Sequence, residues 1–553
     1  QAPYTYQWSF GDGTTDSGES VQHIYGLSGT YTATLTVSDA QGTMQTVRRE
    51  IVVVPSVPEE IPDAAGQVRI ATFNVSLNRN SQGALSEELR TSTTSVQARQ
   101  IAEILQRVRP TVVLLNEFDY DESGLAARRF AENYLGVGQN GANPIEYPFV
   151  YLAPSNTGIP SGLDLNNDGN VGGPNDAFGF GFFPGQFGML ILSQHPIATE
   201  NVRTFQTFLW RDMPGALLPL IPGEGPGALE PYFTSEELDA VRLSSKSHWD
   251  VPIVVNGVTV HVLAAHPTPP VFDDGERTFD GVVNAIDRNG LRNHDEIRFW
   301  SDYVTPGRGG YIYDDAGNTG GLPAGERFVI VGDYNADPFD GDSTADAAQQ
   351  FTNHPEINNR FVPRSFGGAQ QAAIQGGINA EHQGNAAFDT ADFGEPPGNL
   401  RVDYVLPSEF GLDVLNGGVF WPNDGDPLFG LAAASDHRLV YLDLDFNRLN
   451  TLVRTVDEPA GDNCAAGGVR IETGRDLNAN GEVDDNEVEG TRFVCSGEQG
   501  PPGQDGQDGE NGEDGPRGPQ GARGPAGPRG SSGAAGPWLL ALGALALALR
   551  RRR

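Results

Sequence analysis

Residues 329–338 read VIVGDYNADP, an apolar run that ends abruptly on Asp333, Asn335 and Asp337. Val329, Ile330 and Val331 are β-branched residues suited to a buried strand. Such a strand can carry carboxylate and amide side chains only where it meets water, because burying an unpaired charge is costly. The reading is therefore a core strand whose end presents polar groups at a sheet's carboxyl edge, where α/β proteins place their chemistry. An Asx-rich turn after a strand would give the same letters, since Asp, Asn and Pro all favour turns. The rest of the chain decides between the two.

The same ending recurs along the sequence. RIATFNV (69–75) closes near Asn74, VVLLNEF (112–118) near Glu117 and VLAAHP (262–267) on His266. RVDYVL (401–406) carries Asp403, and Asp436 and His437 stand just before RLVYLDL (438–444). One Glu or His after a strand is an ordinary solvated end or a satisfied hydrogen bonder. So many in one domain converge on a single cleft if their strands share an edge. Helical stretches such as SVQARQIAEILQRV (95–108) alternate with the strands, so residues 68–448 read as one large α/β domain. Its long Gly-, Pro- and Asp-rich loops, 154–186, 211–236 and 340–398, are of a size that usually carries function.

Taken in order, FN, NE, H, GDYNADP, DYV and SDH resemble the endonuclease/exonuclease/phosphatase superfamily, which includes DNase I, abasic-site endonucleases, neutral sphingomyelinases and inositol polyphosphate phosphatases. The resemblance implies a DNase I-like four-layer sandwich, two mixed β-sheets packed face to face with helices outside. It implies a divalent-metal-dependent phosphodiesterase, and the physical chemistry agrees. Phosphodiester hydrolysis needs a Lewis acid, an in-line water and proton transfer. Hard oxygen ligands suit Mg²⁺ or Mn²⁺. Glu117 is the expected principal metal ligand, with Asn74 and Asp436 close by. Asp333 and Asn335, two apart on an extended segment, face the same way and hold the attacking water and a phosphoryl oxygen. His437 contacts the scissile phosphate or serves as base, His266 is the second imidazole, and Asp403 orients one of the two.

The formal net charge is −37, and most of it lies before residue 455. Such a body repels polyanions at long range, so a nucleic-acid substrate needs divalent cations or a local basic groove. No basic cluster of that kind stands out. Lys246 and His248 in SSKSHWDVP and Arg292 in RNHDEIRFW are the best cationic candidates for substrate contact, with a structural role as the alternative.

Around the α/β domain lie smaller modules. Residues 1–56 alternate in short runs and resemble a PKD domain, an immunoglobulin-like β-sandwich of exported bacterial proteins, through Trp8, Gly11, Asp12, Gly13, His23, Tyr25, Gly29 and Tyr31. Fewer residues precede Trp8 than in a whole PKD domain, so a first strand is expected to be missing. A Pro-rich acidic linker follows at 57–67. Residues 449–498 hold both cysteines, Cys464 and Cys495, expected as a disulfide. Between them, DLNANGEVDDNE (476–487) has EF-hand spacing, with Asp476, Asn478, Asn480, Asp484 and Glu487 as expected Ca²⁺ ligands. DLNNDGN (164–170) has only the first half of that pattern.

From 499 to 536 glycine recurs at every third position, the collagen repeat; it either forms a homotrimer or stays a flexible stalk. Residues 537–553, a short apolar run and four arginines, resemble the sorting tails of bacterial surface proteins, cut by a membrane protease, with a permanent anchor as the alternative. The expected location is extracellular or the bacterial cell surface. Three functions are compatible with these modules: an exported nuclease acting on DNA or RNA, a phospholipid (sphingomyelinase-like) or small phosphate-ester hydrolase, or a calcium-stabilised surface adhesin with an idle α/β domain.

Overall fold

A computed structural model describes residues 4–497 except 12, 22, 24–28, 40–41, 54–66, 224–227, 273–276, 280–281, 285–286, 345, 395, 447–450 and 476–481. The collagen-like stretch, the terminal tail, most of the linker and the candidate calcium ligands Asp476, Asn478 and Asn480 lie outside the described residues. No helix among the described residues is long and apolar enough to cross a membrane.

Two mixed sheets form the α/β domain. The first has six strands in the spatial order Asp413–Val419, Val440–Asp445, Gln67–Leu77, Val112–Phe118, Met189–Ser193, Phe149–Tyr151. The second has five, in the order Asp403–Pro407, Phe328–Asp333, Val258–Ala265, His248–Val255, Arg203–Thr204. Gln67–Leu77 runs parallel to Val112–Phe118, and Val258–Ala265 parallel to Phe328–Asp333.

Side-chain alternation explains how the sheets stack. Val68, Ile70, Val112, Leu114, Ile191 and Val440 of one sheet share a buried core with Val251, Val262, Ala264, Val329, Val331 and Val405 of the other. The opposite parity faces outward. Ala71, Phe73, Val113 and Leu115 pack on the helices Val96–Val108 and Leu125–Phe130. Leu263, Ile330, Tyr404 and Leu406 pack on the helix Arg288–Val304 through Ile297 and Trp300. The result is helix, sheet, sheet, helix: the four layers that the resemblance implied.

Each inner-facing row is apolar along its length and turns polar at one end. Ile70 gives way to Thr72 and Asn74, Leu114 to Asn116, Ala264 to His266, and Val331 to Asp333. Asp403 is the register partner of Asp333 across the strand pair. The polar ends therefore share one edge of the sandwich, with the two sheets facing each other there.

The N-terminal PKD domain is a β domain whose four strands form an antiparallel sheet, Thr15–Ser17, Thr5–Ser9, Gly29–Ser38, Met44–Val53. Phe10 is buried beside Trp8, Val21, Tyr31 and Ile51, and its ring stacks on His23 at 3.8 Å. Thr451–Glu458, Gly468–Arg475 and Val488–Cys495 form a three-stranded sheet tied by the Cys464–Cys495 disulfide, Cα–Cα 5.2 Å. Of the candidate calcium ligands there, Glu487 is buried and accepts a 3.0 Å hydrogen bond from the Asp484 backbone N–H.

Candidate active site at the sandwich edge

Asp333 is the hub of the edge. Its Oδ1 accepts the Asn335 N–H at 2.9 Å, which folds VIVGDYN back on itself as an Asx turn. Gly332, just before it, sits at φ +153°, and a Cβ there would run into the Ala265 carbonyl oxygen, so the strand pair closes only around glycine. The Asp333 Oδ2 accepts the Asn74 amide at 3.0 Å and lies 3.4 Å from His266 Nε2 and 3.5 Å from His437 Nε2. One carboxylate thus meets an amide from the facing sheet and two imidazoles.

His437 is held from behind. Its Nδ1 lies 2.9 Å from Asp403 Oδ2, and that same oxygen accepts the Thr390 hydroxyl at 2.8 Å. Asp333, Asp403 and His437 bring potential metal-ligating atoms within 4.8 Å of one another, the one such trio among the described residues. One hydrogen bond and one ion-pair contact make it a carboxylate–imidazole–carboxylate chain: both ring nitrogens face a carboxylate. Burial opposes the imidazolium, but Asp403 and Asp333 outweigh it and raise His437 to about 10. Burial raises Asp333 to about 6, against the pull of His437. His266 goes the other way, pushed well below the ordinary imidazole value by burial and by Lys246, so it is neutral at pH 7.

Glu117 approaches from the first sheet with its backbone at φ +57°, an uncommon conformation for a residue with a long side chain. Ser76 at φ +46° and Asn335 at φ +51° adopt the same left-handed region around the same edge. Non-glycine residues held there cluster at functional sites. The Glu117 Oε2 accepts the Asn78 amide at 2.8 Å, and its carboxylate is also hydrogen-bonded by Asn74. Burial raises its carboxyl, partly offset by His437 and Asn74. Asp436 is exposed and accepts the Ser76 hydroxyl at 3.2 Å, while Ser435 Oγ donates to the Asn74 carbonyl at 2.8 Å. Glu117, on a contorted backbone beside Asn74 and Asn78, and Asp436, tied to the same edge through Ser76, supply hard oxygen atoms of the kind that suit Mg²⁺ or Mn²⁺.

The eight residues expected at the site, Asn74, Glu117, His266, Asp333, Asn335, Asp403, Asp436 and His437, all come from this edge. Asn335 is half-buried and donates its amide to the Pro267 carbonyl at 3.2 Å. Asn74 lies at Glu117, and its amide also donates to Asp333 Oδ2 at 3.0 Å, which joins the two halves of the site. Of the two imidazoles, it is His437 that Asp403 lies against.

Among the substrate candidates, two require correction. His248 is buried, its Nδ1 against Ser244 Oγ and its Nε2 2.9 Å from the Glu296 carbonyl. Arg292 donates to the carbonyls of Leu243, Arg242 and Phe178, each at 2.8 Å. Both side chains satisfy backbone groups inside the domain, as a guanidinium with five donors does readily. Lys246 is different: 7% exposed, it has a 3.4 Å contact to the Pro267 carbonyl and feels Glu117, Asp333 and Glu296. Its ammonium stands at the back of the site.

Sequence reasoning passed over Asn116 and Asp119. Asn116 crosses between the sheets, accepting the Asp333 N–H at 3.3 Å and donating to the Ala265 carbonyl at 3.4 Å. Asp119 accepts the N–H groups of Arg79 at 2.8 Å and Phe187 at 3.3 Å, fixing two loops beside Glu117. The signal for Asn116 was present: adjacent Asn and Glu on one strand must face opposite ways.

The sequence matches the Endonuclease/Exonuclease/phosphatase family over residues 71–437, a PKD domain over 1–54, a domain of unknown function over 450–495 and the collagen triple helix repeat over 495–538. Similar solved structures include sphingomyelinase C from Streptomyces griseocarneus, 14% identical, covering 68% of this chain and 99% of that one with a TM-score of 0.32. An endonuclease/exonuclease/phosphatase family protein from Leptotrichia buccalis is 12% identical over 68% of this chain and 98% of its own, TM-score 0.32. A beta toxin from Staphylococcus aureus is 15% identical over 68% and 99%, TM-score 0.32. Among curated proteins, collagenase ColA of Bacillus cereus is 53% identical over 38 residues, which are 7% of this chain and 4% of that protein.

Proposed function

The chain belongs to the Endonuclease/Exonuclease/phosphatase family and is a phosphoester hydrolase, and from that premise we propose that it is a divalent-metal-dependent phosphodiesterase, exported to the cell surface or beyond, whose substrate is DNA or RNA. The observation that carries the reading is the chain of contacts Asp403–His437–Asp333, at 2.9 and 3.5 Å, beside Glu117. A catalytically idle scaffold has no need to hold two buried carboxylates on one imidazole.

The geometry suggests a role for each residue. Glu117, with Asp436 and the neighbouring amides, would hold Mg²⁺ or Mn²⁺, which when bound neutralises charge on the phosphoryl oxygens. Asp333 and Asn335, joined by the turn, position a water whose oxygen bonds to phosphorus as the P–O bond to the leaving oxygen breaks; Asp333 takes the water's proton, and the leaving oxygen gains one from solvent. His437, held as imidazolium by Asp403, donates its Nε2–H to a phosphoryl oxygen as negative charge develops there. His266, neutral, orients Asp333 from the other side. Lys246 adds positive charge behind Glu117 and Asp333.

A second reading, a phospholipid or other phosphodiester with an apolar part, is favoured by one observation. Phe180 and Phe182 are 50% and 65% exposed on a loop whose Phe187 N–H is tied to Asp119. Incubating the purified chain with plasmid, RNA, sphingomyelin vesicles and a chromogenic phosphodiester, each with Mg²⁺, Mn²⁺ or EDTA, tests both. Cleavage of nucleic acid that EDTA abolishes is the expected result. Preferential cleavage of the vesicles selects the second reading, and no hydrolysis of any of them leaves the adhesin.

A further inference from the structure

The parallel pairing that aligns two of the site-bearing strands stops one residue short of the site. Val258–Ala265 and Phe328–Asp333 pair as far as Ala265 with Gly332. His266 and Asp333 are the next position in that register, and their 3.4 Å contact lies where the pairing has ended. Something other than this ladder has to hold the one against the other.

The helix Arg288–Val304 supplies it. Asn293 and Glu296 are three residues apart, hence on one helix face, and are 0% and 1% exposed. The Asn293 Nδ2 donates to the carbonyls of Thr268 and Tyr334, each at 2.8 Å. Tyr334 follows Asp333 directly, and Thr268 comes two residues after His266. One amide thus straddles the loop behind His266 and the turn behind Asp333. The Glu296 carboxylate accepts the Thr268 N–H at 2.6 Å and the Ser245 N–H at 2.7 Å, so both backbone groups of Thr268 are gripped by the same helix face. Pro267, between His266 and Thr268, offers its carbonyl to the Asn335 amide at 3.2 Å and to Lys246 at 3.4 Å. The Asn293 Oδ1 is buried and meets no donor among the described residues. Its side chain is therefore set by its two donors and not by its acceptor.

We infer, resting on the reading of Asp333 as proton acceptor, that Asn293 and Glu296 are positioning residues for the hydrolysis: by gripping Thr268 and Tyr334 they hold His266 against Asp333 beyond the end of the ladder. Neither touches a reacting atom. A rigid helix seats both, and a misplacement of about 1 Å in a reacting geometry can lower a rate on the order of 10²-fold. Metal and substrate contacts fall to other residues, so the loss belongs to kcat.

A double-mutant cycle separates positioning from a plain core role. Steady-state rates on a chromogenic phosphodiester are compared for wild type, Asn293→Ala, Asp333→Asn and the double variant, at saturating Mg²⁺ and matched melting temperature. In the wild-type background Asn293→Ala should lower kcat by about tenfold or more, with KM and the half-saturating Mg²⁺ concentration within about twofold. In the Asp333→Asn background the same change should lower kcat by less than about twofold, because the group it positions is already disabled. An equal loss in both backgrounds, or a change in KM alone, overturns the inference. Equal rates for wild type and Asp333→Asn would instead overturn the reading of Asp333 on which it stands. The ring ¹⁵N signals of His266, assigned through their loss in His266→Gln, need no turnover: they should move in Asn293→Ala, and signals that stay in place contradict the positioning role. Where Asn293→Ala does not fold, Asn293→Ser, which keeps one donor, is judged by the same cycle and the same signals.

Discussion

Glu117 and Asp403 are both carboxylates that act on His437, in different company. Glu117 is ringed by amides and reaches solvent; Asp403 is buried and spends one oxygen on the imidazole and on Thr390. Their replacements should therefore fail differently. Glu117→Gln removes the hard anionic donor, so the metal concentration for half-maximal rate should rise, with partial rescue by excess Mn²⁺, as a metal titration of the rate would show. Asp403→Asn leaves metal demand alone and loosens His437, lowering the rate by a factor on the order of 10 to 10². The pH profile gives a second sign. Asp403 helps hold His437 at about 10, so wild type keeps the imidazolium through neutral pH, whereas in Asp403→Asn the activity should decline at lower pH on the alkaline side. Much at this scale was readable from letters alone, because a polar residue closing an apolar run has few explanations. What stayed hidden was which oxygen meets which nitrogen: Asn74 as a bridge and His248 and Arg292 as internal donors are facts of packing between distant segments.

The strands carry that chemistry because their two parities are used differently. Outer-facing residues pack on helices, and inner-facing ones meet the other sheet until the edge, where Asn116 and Asn74 replace valine and stitch the sheets together. Alternation alone announced the strands. It did not announce which sheet each would join, since that rests on contacts such as Arg69 with Asp443, far apart in sequence. Arg69 is 2% exposed, forms a bidentate pair with Asp443 at 2.6 and 2.9 Å and stands 4.5 Å over Tyr441. Arg69→Met should destabilise the domain by about 3–5 kcal/mol, because Asp443 is left buried without its partner; denaturant unfolding measures it. At the other end of the second sheet, His261 Nδ1 meets the buried Asp250 at 2.7 Å, and Tyr303 donates to the second Asp250 oxygen at 2.6 Å. Burial disfavours the imidazolium, but Asp250 and Glu326 outweigh burial and Arg203, and the pKa is raised. A raised pKa contributes stability that is complete below the unfolded value, about 6.5, and is lost as pH climbs through the folded one. His261→Gln should therefore lower the melting temperature most near pH 6, with the difference from wild type shrinking by pH 9.

At the scale of the whole molecule, an acidic hydrolase is joined to a PKD domain, a disulfide-closed sheet and a collagen repeat. The repeat and the modules were plain in the sequence because glycine at every third position and two cysteines in one short segment are read directly from the letters. The charge of −37 has a consequence for the proposed substrate. At saturating Mg²⁺, kcat/KM on plasmid should rise as salt is increased from low levels toward physiological strength, since the Debye length falls from about 30 Å at 0.01 M to about 8 Å at 0.15 M. A small neutral ester should show no such dependence. On the proposed reading, Asp333 activates water at the sandwich edge. The direct measurement is the initial rate of phosphodiester hydrolysis by wild type and Asp333→Asn, at saturating Mg²⁺ and matched melting temperature. Asparagine keeps the size but not the charge, so the rate should fall by a factor on the order of 10² or more. An Asp333→Asn chain that hydrolyses every phosphodiester at the wild-type rate would contradict the account and return VIVGDYNADP to a strand with a turn after it.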